Sequence, residues 1–186
     1  MNASETGPLT ERYLEDFAVA QTFGSGRLKV EAHRIKTFAA EFDPQLFHLD
    51  EHSARATFFG GLAASGWHTA ALTMRLLVES ELRPAGGIIG LGFDELRWPR
   101  PVRPDDELHL QSEVLEVRVS KSRPTQGLIK VRTTTLNQRD EAVQVFVGNL
   151  LVPCRPKSPR LGAEADESGS GPRHRFRHSI RHSKRH

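Results

Sequence analysis

The stretch GGLAASGWHTAALTMRLLVESEL, residues 60–82, carries the longest helical pattern in the chain. Ala63, Trp67, Ala70, Met74, Leu77 and Val78 fall on one apolar face at the spacing of an α-helix. Its opening turns hold Gly60, Gly61, Ala63, Ala64, Ser65 and Gly66. A glycine inside a helix costs roughly 1 kcal/mol relative to alanine. Several together make sense where backbone must approach a sheet or a ligand closely.

Working outward from this helix toward the C-terminus, the pattern turns to strands. Residues 88–98 (IIGLGFDELRW) read as one, followed by the proline-rich turn PRPVRP. Residues 106–120 alternate at Leu108, Leu110 and Val114, then shift phase to Leu115, Val117 and Val119, which predicts a bulge or strong bend. Residues 127–136 and 142–152 flank NQRDE and read as a hairpin. Toward the N-terminus, QTFGSGRLKV (21–30) reads as a glycine-interrupted strand or hairpin. Residues 31–43 form a second helical pattern through Ile35, Phe38, Ala39 and Phe42, and Pro44 disfavours helical geometry at Asp43. This order predicts an α+β domain in which one long helix packs on a curved antiparallel sheet.

The 186 residues suit one domain with a real core, although 37% hydrophobic content is low for a chain that is compact throughout. The ends account for the shortfall. Beyond Pro153 the sequence is Pro, Ser, Gly and charge without periodicity, and residues 173–186 (RHRFRHSIRHSKRH) hold six Lys/Arg, four His and no acid. The expected organisation is a flexible N-terminus (1–13), a folded domain (14–154) and a disordered basic tail (155–186). Without the tail's six cations, 20 basic residues face 23 acids, so the net charge of +3 belongs to the tail and does not argue for a nucleic-acid partner of the domain. One cysteine, Cys154, excludes an internal disulfide framework and fits a cytoplasmic protein. No basic-then-apolar leader opens the chain and no run of ~18 apolar residues interrupts it, so neither a signal peptide nor a membrane partner is expected.

The candidate chemistry lies in FDPQLFHLDE, residues 42–51, where Asp43 and His48 stand five apart around a proline corner. Burial and mutual proximity move the pKa values of such groups toward neutrality, which suits proton transfer. Twelve residues after His48 comes the glycine-rich helix start, where unpaired backbone N–H groups and the helix dipole favour a developing oxyanion. By itself the pair also fits a helix-end cap and a satisfied core histidine.

With these two blocks in view, FAAEFDPQLFHLDEHSA followed by FFGGLAASGWHTAAL resembles the MaoC-like acyl dehydratases, which include the (R)-specific enoyl-CoA hydratases. The likeness runs over roughly residues 14–153. It implies the hot-dog fold, a sheet wrapped around a long central helix, with assembly as a homodimer or larger and no metal or organic cofactor. It also implies reversible addition of water across a 2-enoyl thioester of coenzyme A or acyl carrier protein. By position, Asp43 and His48 would flank the reacting water, Gly60 or Gly61 would supply the oxyanion N–H, and Ser65 would support the aspartate. Phe42, Leu46 and Phe47 would exclude bulk water, with Phe42, Phe47 and Trp67 as candidate substrate contacts. The family motif usually runs Asp-x-Asn-Pro; here Gln45 stands for the asparagine and Pro44 comes two places earlier, with the Asp-to-His spacing kept.

Two other readings share the fold. Hot-dog thioesterases usually carry a lone carboxylate on the central helix, and none occurs here between Gly60 and Val78. A non-catalytic acyl-binding domain would not need the Asp43/His48 pair. His52 reads as exposed and His68 as facing solvent or an interface. LAASGW lacks the glycine of a nucleophile elbow at Ala63. Arg97, Arg100, Arg103, Lys121 and Arg123 are candidate contacts for a carrier's phosphates, or simply a solvated face.

Overall fold

The structure is a computed structural model that describes residues 10–157. The basic run 173–186 lies outside the described residues. Six strands form one antiparallel sheet: β1 (Thr22–Gly24), β2 (Leu28–Lys29), β3 (Ile89–Arg97), β4 (Glu107–Val119), β5 (Gln126–Leu136) and β6 (Ala142–Pro153). The order is β1-β4-β5-β6-β3, with β2 also pairing β4. Among the described residues, a short 3-10 turn (Leu14–Asp16) precedes β1 and four α-helices lie between β2 and β3: α1 (Ala32–Phe42), α2 (Leu46–Leu49), α3 (Glu51–Ala54) and the long α4 (Gly66–Val78). This is the predicted arrangement of a long helix on an antiparallel sheet.

The local reasons match the sequence. β5 alternates buried and half-exposed residues along its length, as expected of a sheet with one face on a core. β4 buries Leu108, Leu110, Ser112 and Val114, and its register with β5 then slips between Val114 and Glu116. Leu115 is therefore the bulged residue, at the place where the alternation changes phase. Asn137 and Asp140 close the β5–β6 turn, where Asp140 adopts a positive φ of 58°.

The core lies between α4 and the sheet. Leu72, Leu76 and Leu77 of α4 join Leu108, Leu110, Ile129, Val131, Val143 and Val152 in one cluster. Each fully buried leucine is worth roughly 1.5–3 kcal/mol. The helix departs from its predicted bounds and its predicted face. It begins at Gly66, not Gly60, and ends at Val78. It buries His68, Thr69, Leu72, Thr73, Leu76 and Leu77 while exposing Trp67 (61%), Met74 and Val78. The reason is that α4 is apolar nearly all round, and its core-facing threonines have partners. Thr69 Oγ1 donates to Ser65 O at 3.2 Å, and the hydroxyls of Thr73 and Thr135 meet at 2.8 Å. Polar atoms satisfied in this way leave no penalty against burial.

Both ends of the described chain are tied to the rest of the fold. Arg12 N–H donates to Arg83 O (2.8 Å), Ala85 N–H donates to Arg12 O (2.7 Å), and the Arg12 guanidinium lies over the Phe23 ring. Arg12, near the N-terminal edge of the described residues, is thus held against the fold. At the other end Arg155 donates to both carboxylate oxygens of Asp16 at 2.6 Å, and its backbone N–H reaches Glu15 Oε2 at 2.9 Å. One compact unit runs to Pro156. No described helix is long and apolar enough to cross a membrane.

Candidate active site

Asp43 caps the C-terminus of α1, its N–H donating to Ala39 O at 3.0 Å. Pro44 ends the helix, and one turn later α2 carries His48 into the interior, where it is 4% exposed. His48 Nδ1 lies 2.7 Å from Ala63 O. A carbonyl only accepts, so Nδ1 carries a proton; when the ring is neutral, Nε2 keeps its lone pair. Nε2 faces Asp43 Oδ2 at 3.4 Å. The other Asp43 contacts fix its orientation: Ser65 Oγ donates to Oδ2 and Gln45 Nε2 to Oδ1, both at 2.6 Å. Gln45 thus supplies an amide to the aspartate from the shifted position of the motif.

Burial by itself would push the Asp43 carboxyl up. The hydrogen bonds from Ser65 and Gln45, and the charge of His48 when its ring is protonated, outweigh it and hold the group below the usual aspartate range. The site therefore pairs a carboxylate that stays ionised with an imidazole whose free nitrogen is aimed by its backbone bond. Among the described residues, no three His, Cys, Asp or Glu side chains converge as a metal site.

The small residues before α4 take a different part from the one expected. Gly60 and Gly61 lie ahead of the helix, in a turn where Gly60 adopts φ +63° and its N–H already donates to Thr57 O at 3.0 Å. A backbone donor at the helix start therefore falls to Gly66, the first residue of α4, whose turn has N–H groups without intrahelical partners. Ser65 is the N-cap, accepting from Trp67 N–H at 3.2 Å. Gly66 also has to be glycine: a Cβ there would lie 2.9 Å from the Trp98 indole. That indole is fixed by Nε1 donating to the buried Gln144 Oε1 at 2.8 Å.

A cavity of about 410 Å³ opens onto His48 and Gly66, walled by Phe59, Thr69, Trp98 and Arg100. Of the expected substrate contacts, Phe47 packs edge-on against His48 at 4.5 Å and against Phe59 at 5.0 Å. Phe42 and Leu46 do not shield the pair; they are 63% and 64% exposed, Phe42 resting on Phe38. Trp67 is also turned outward, its edge on Trp98 at 5.5 Å. Phe59, Thr69 and Trp98 do the enclosing. Only Thr69 carried a legible signal, as the residue one turn after Ser65 on the same helix face.

The remaining candidates divide. His52 is exposed, whereas His68 is buried, 6% exposed and stacked on Phe38 at 4.8 Å, contrary to its expected outward position. Arg97 pairs with Glu95, and Lys121 lines a separate depression of about 370 Å³ with Leu91 and Arg118. Arg100 alone of the basic set borders the cavity, while the Arg103 guanidinium is taken up by backbone carbonyls.

The sequence profile of the MaoC like domain matches residues 16–137, well over half of the chain and all of the Asp43–Gly66 region. The chain belongs to the MaoC-like dehydratase family. Among MaoC-like proteins of known structure, the MaoC-like dehydratase of Rhodospirillum rubrum is similar at 57% identity with a TM-score of 0.76, over 78% of this chain and 99% of that one. The R-hydratase PhaJ1 of Pseudomonas aeruginosa shares 25% identity with a TM-score of 0.60, over 82% of this chain and 95% of that one. The protein YdeM of Bacillus subtilis is 37% identical over 75% of this chain and 96% of its own length. The MaoC-like fold expected from the sequence, a hot-dog sheet around a central helix, is the fold found.

Proposed function

We propose that this MaoC-like protein is a hydro-lyase that reversibly adds water across the C2=C3 bond of a 2-enoyl thioester, forming the (R)-3-hydroxyacyl thioester. The observation that carries this reading is the 3.4 Å separation of Asp43 Oδ2 and His48 Nε2, with the tautomer of His48 set by Ala63 O. One water at about 2.8 Å from each atom completes a triangle on them and donates a hydrogen to both. His48 Nε2 then takes a proton as the water oxygen bonds to C3, and Asp43, held ionised, stabilises the imidazolium. The electron pair of C2=C3 moves toward the thioester oxygen, which the N–H groups at the start of α4 stabilise as it becomes an enolate. The imidazolium returns the proton to C2. One H and one OH are added, and both arrive from the side of the pair, so addition is syn.

A thioesterase gains no support, since α4 (Gly66–Val78) has no carboxylate. The carrier is coenzyme A or acyl carrier protein, and the setting is cytoplasmic. The assembly is a homodimer. β3 is an edge strand showing Ile89, Leu91 and Phe93, and α4 shows Trp67, Met74 and Val78, an apolar set that a second copy would cover.

The test is a panel of 2-enoyl-CoA esters followed by loss of enoyl absorbance, with the active ester then hydrated in deuterated water. NMR and chiral analysis of the product report both centres. Syn addition with an (R)-alcohol is expected; an (S)-product or anti addition overturns the proposed arrangement.

A further inference from the structure

Arg103 has no part in the chemistry above, yet it holds the segment on which that chemistry depends. Its Nη1 donates to Gly61 O at 2.8 Å and to Leu62 O at 3.2 Å, and its Nη2 donates to Phe59 O. Three carbonyls of one loop thus converge on one guanidinium, whose planar fork of donors suits several acceptors at once.

The consequence runs through two consecutive peptide planes. In the plane joining Leu62 and Ala63, the carbonyl is held by Arg103 and the N–H donates to Phe47 O at 3.1 Å. In the plane joining Ala63 and Ala64, the carbonyl accepts from His48 Nδ1 at 2.7 Å and the N–H donates to Val102 O at 2.9 Å. A trans peptide sends its C=O and N–H in opposite directions, so bonds at both edges fix the rotation of each plane. Without Arg103 the first plane would be held at its Phe47 edge alone, leaving its carbonyl edge, next to the plane that carries Ala63 O, without a partner.

We infer that Arg103 is a positioning residue: by holding the carbonyls of Phe59, Gly61 and Leu62 it fixes Ala63 O, and through it the Nδ1–H tautomer and the aim of His48. The inference rests on the catalytic reading for its effect on rate, but not for its effect on the tautomer. A histidine held in the wrong tautomer loses its function as a base even when it stays in place.

The experiment uses the full chain labelled with ¹⁵N-histidine, as wild type, Arg103→Met and Arg103→Lys. A His48→Gln variant assigns the His48 ring signals. In wild type, His48 is expected as the Nδ1–H tautomer alone. In Arg103→Met it is expected as a mixture of both, with kcat down about 10- to 100-fold, the range seen when a group orienting a functional histidine is lost, and KM changed little. Arg103→Lys keeps the charge but not the fork, and should fall between the two on both measures. An Arg103→Met protein with a lower Tm but an unchanged His48 tautomer and kcat overturns the inference and leaves Arg103 a structural residue. If Arg103→Met does not fold, Arg103→Lys decides: wild-type tautomer and kcat there overturn it equally. If wild type hydrates no enoyl thioester, the catalytic reading fails while the NMR comparison still judges Arg103.

Discussion

Ser65 Oγ donates to Asp43 Oδ2 at 2.6 Å across 22 residues of sequence while accepting from Trp67 N–H, so one hydroxyl both caps α4 and orients the carboxylate. Ser65→Ala removes both bonds. Loss of an N-cap serine costs about 1 kcal/mol, visible as a lower Tm. The Asp43 pKa should rise toward the ordinary value, since a donor to the charged form is gone. Carboxyl ¹³C titration checks the second effect; an unmoved Asp43 would show that the Ser65 bond does not govern it.

The pair itself is tested by Asp43→Asn and His48→Ala. Each should lower kcat on 2-enoyl-CoA by about 10²–10⁴, the usual worth of general acid–base catalysis. Because both act on one water, the double variant should be little worse than either single one. A single variant that keeps most of its activity removes that residue from the mechanism.

His68 gives the fold a pH dependence of its own. Burial, and then the charge of Arg34, lower its pKa below the ordinary histidine value. The groups around it are Phe38, stacked on the ring, with His33, Arg34, Thr37 and Glu41 of α1 beside the same opening. A depressed histidine pKa means the unfolded chain takes up the proton first. The stabilisation is therefore full above about pH 6.5, the unfolded value, and is lost as pH falls toward the folded pKa. Urea midpoints at pH 7.5 and 5.5 should drop more for wild type than for His68→Leu. Equal drops would exclude His68 as the source.

The basic extension is expected to be dispensable for fold and rate. A chain ending at Lys157 keeps Arg155 and its bonds to Glu15 and Asp16, and should keep its Tm and kcat. A chain ending at Cys154 loses those exposed bonds and should melt only slightly lower. Loss of folding in the longer truncate would show that residues 158–186 contribute to stability.

Much of the site was legible because its parts are local. Pro44 excludes helical geometry at the residue before it, so α1 had to end at Asp43 and leave its side chain at a corner. The five-residue step brings the His48 ring within 3.4 Å of the Asp43 carboxylate. The phase shift around Leu115 marked the β4 bulge, since side-chain alternation breaks wherever a strand gains a residue. The absence of a carboxylate on α4 was equally plain.

What the sequence left open was decided by contacts between distant residues. Gly60 to Gly66 is, apart from Leu62, a run of small residues with no local preference strong enough to say where α4 begins. Ser65 becomes the cap because Asp43 lies within reach of its hydroxyl, and the residues before it stay outside the helix because Arg103 draws their carbonyls away from a helical ladder. The face that α4 buries was likewise unreadable. A helix apolar all round has two candidate faces, and the sheet selected the one whose threonines find partners in Ser65 and Thr135. Phe42 and Trp67 were expected at the site for their rings and lie outside it because helix phase, not hydrophobicity, aims a side chain. Local sterics and spacing therefore determined which polar groups come together, and tertiary hydrogen bonds decided how they are held.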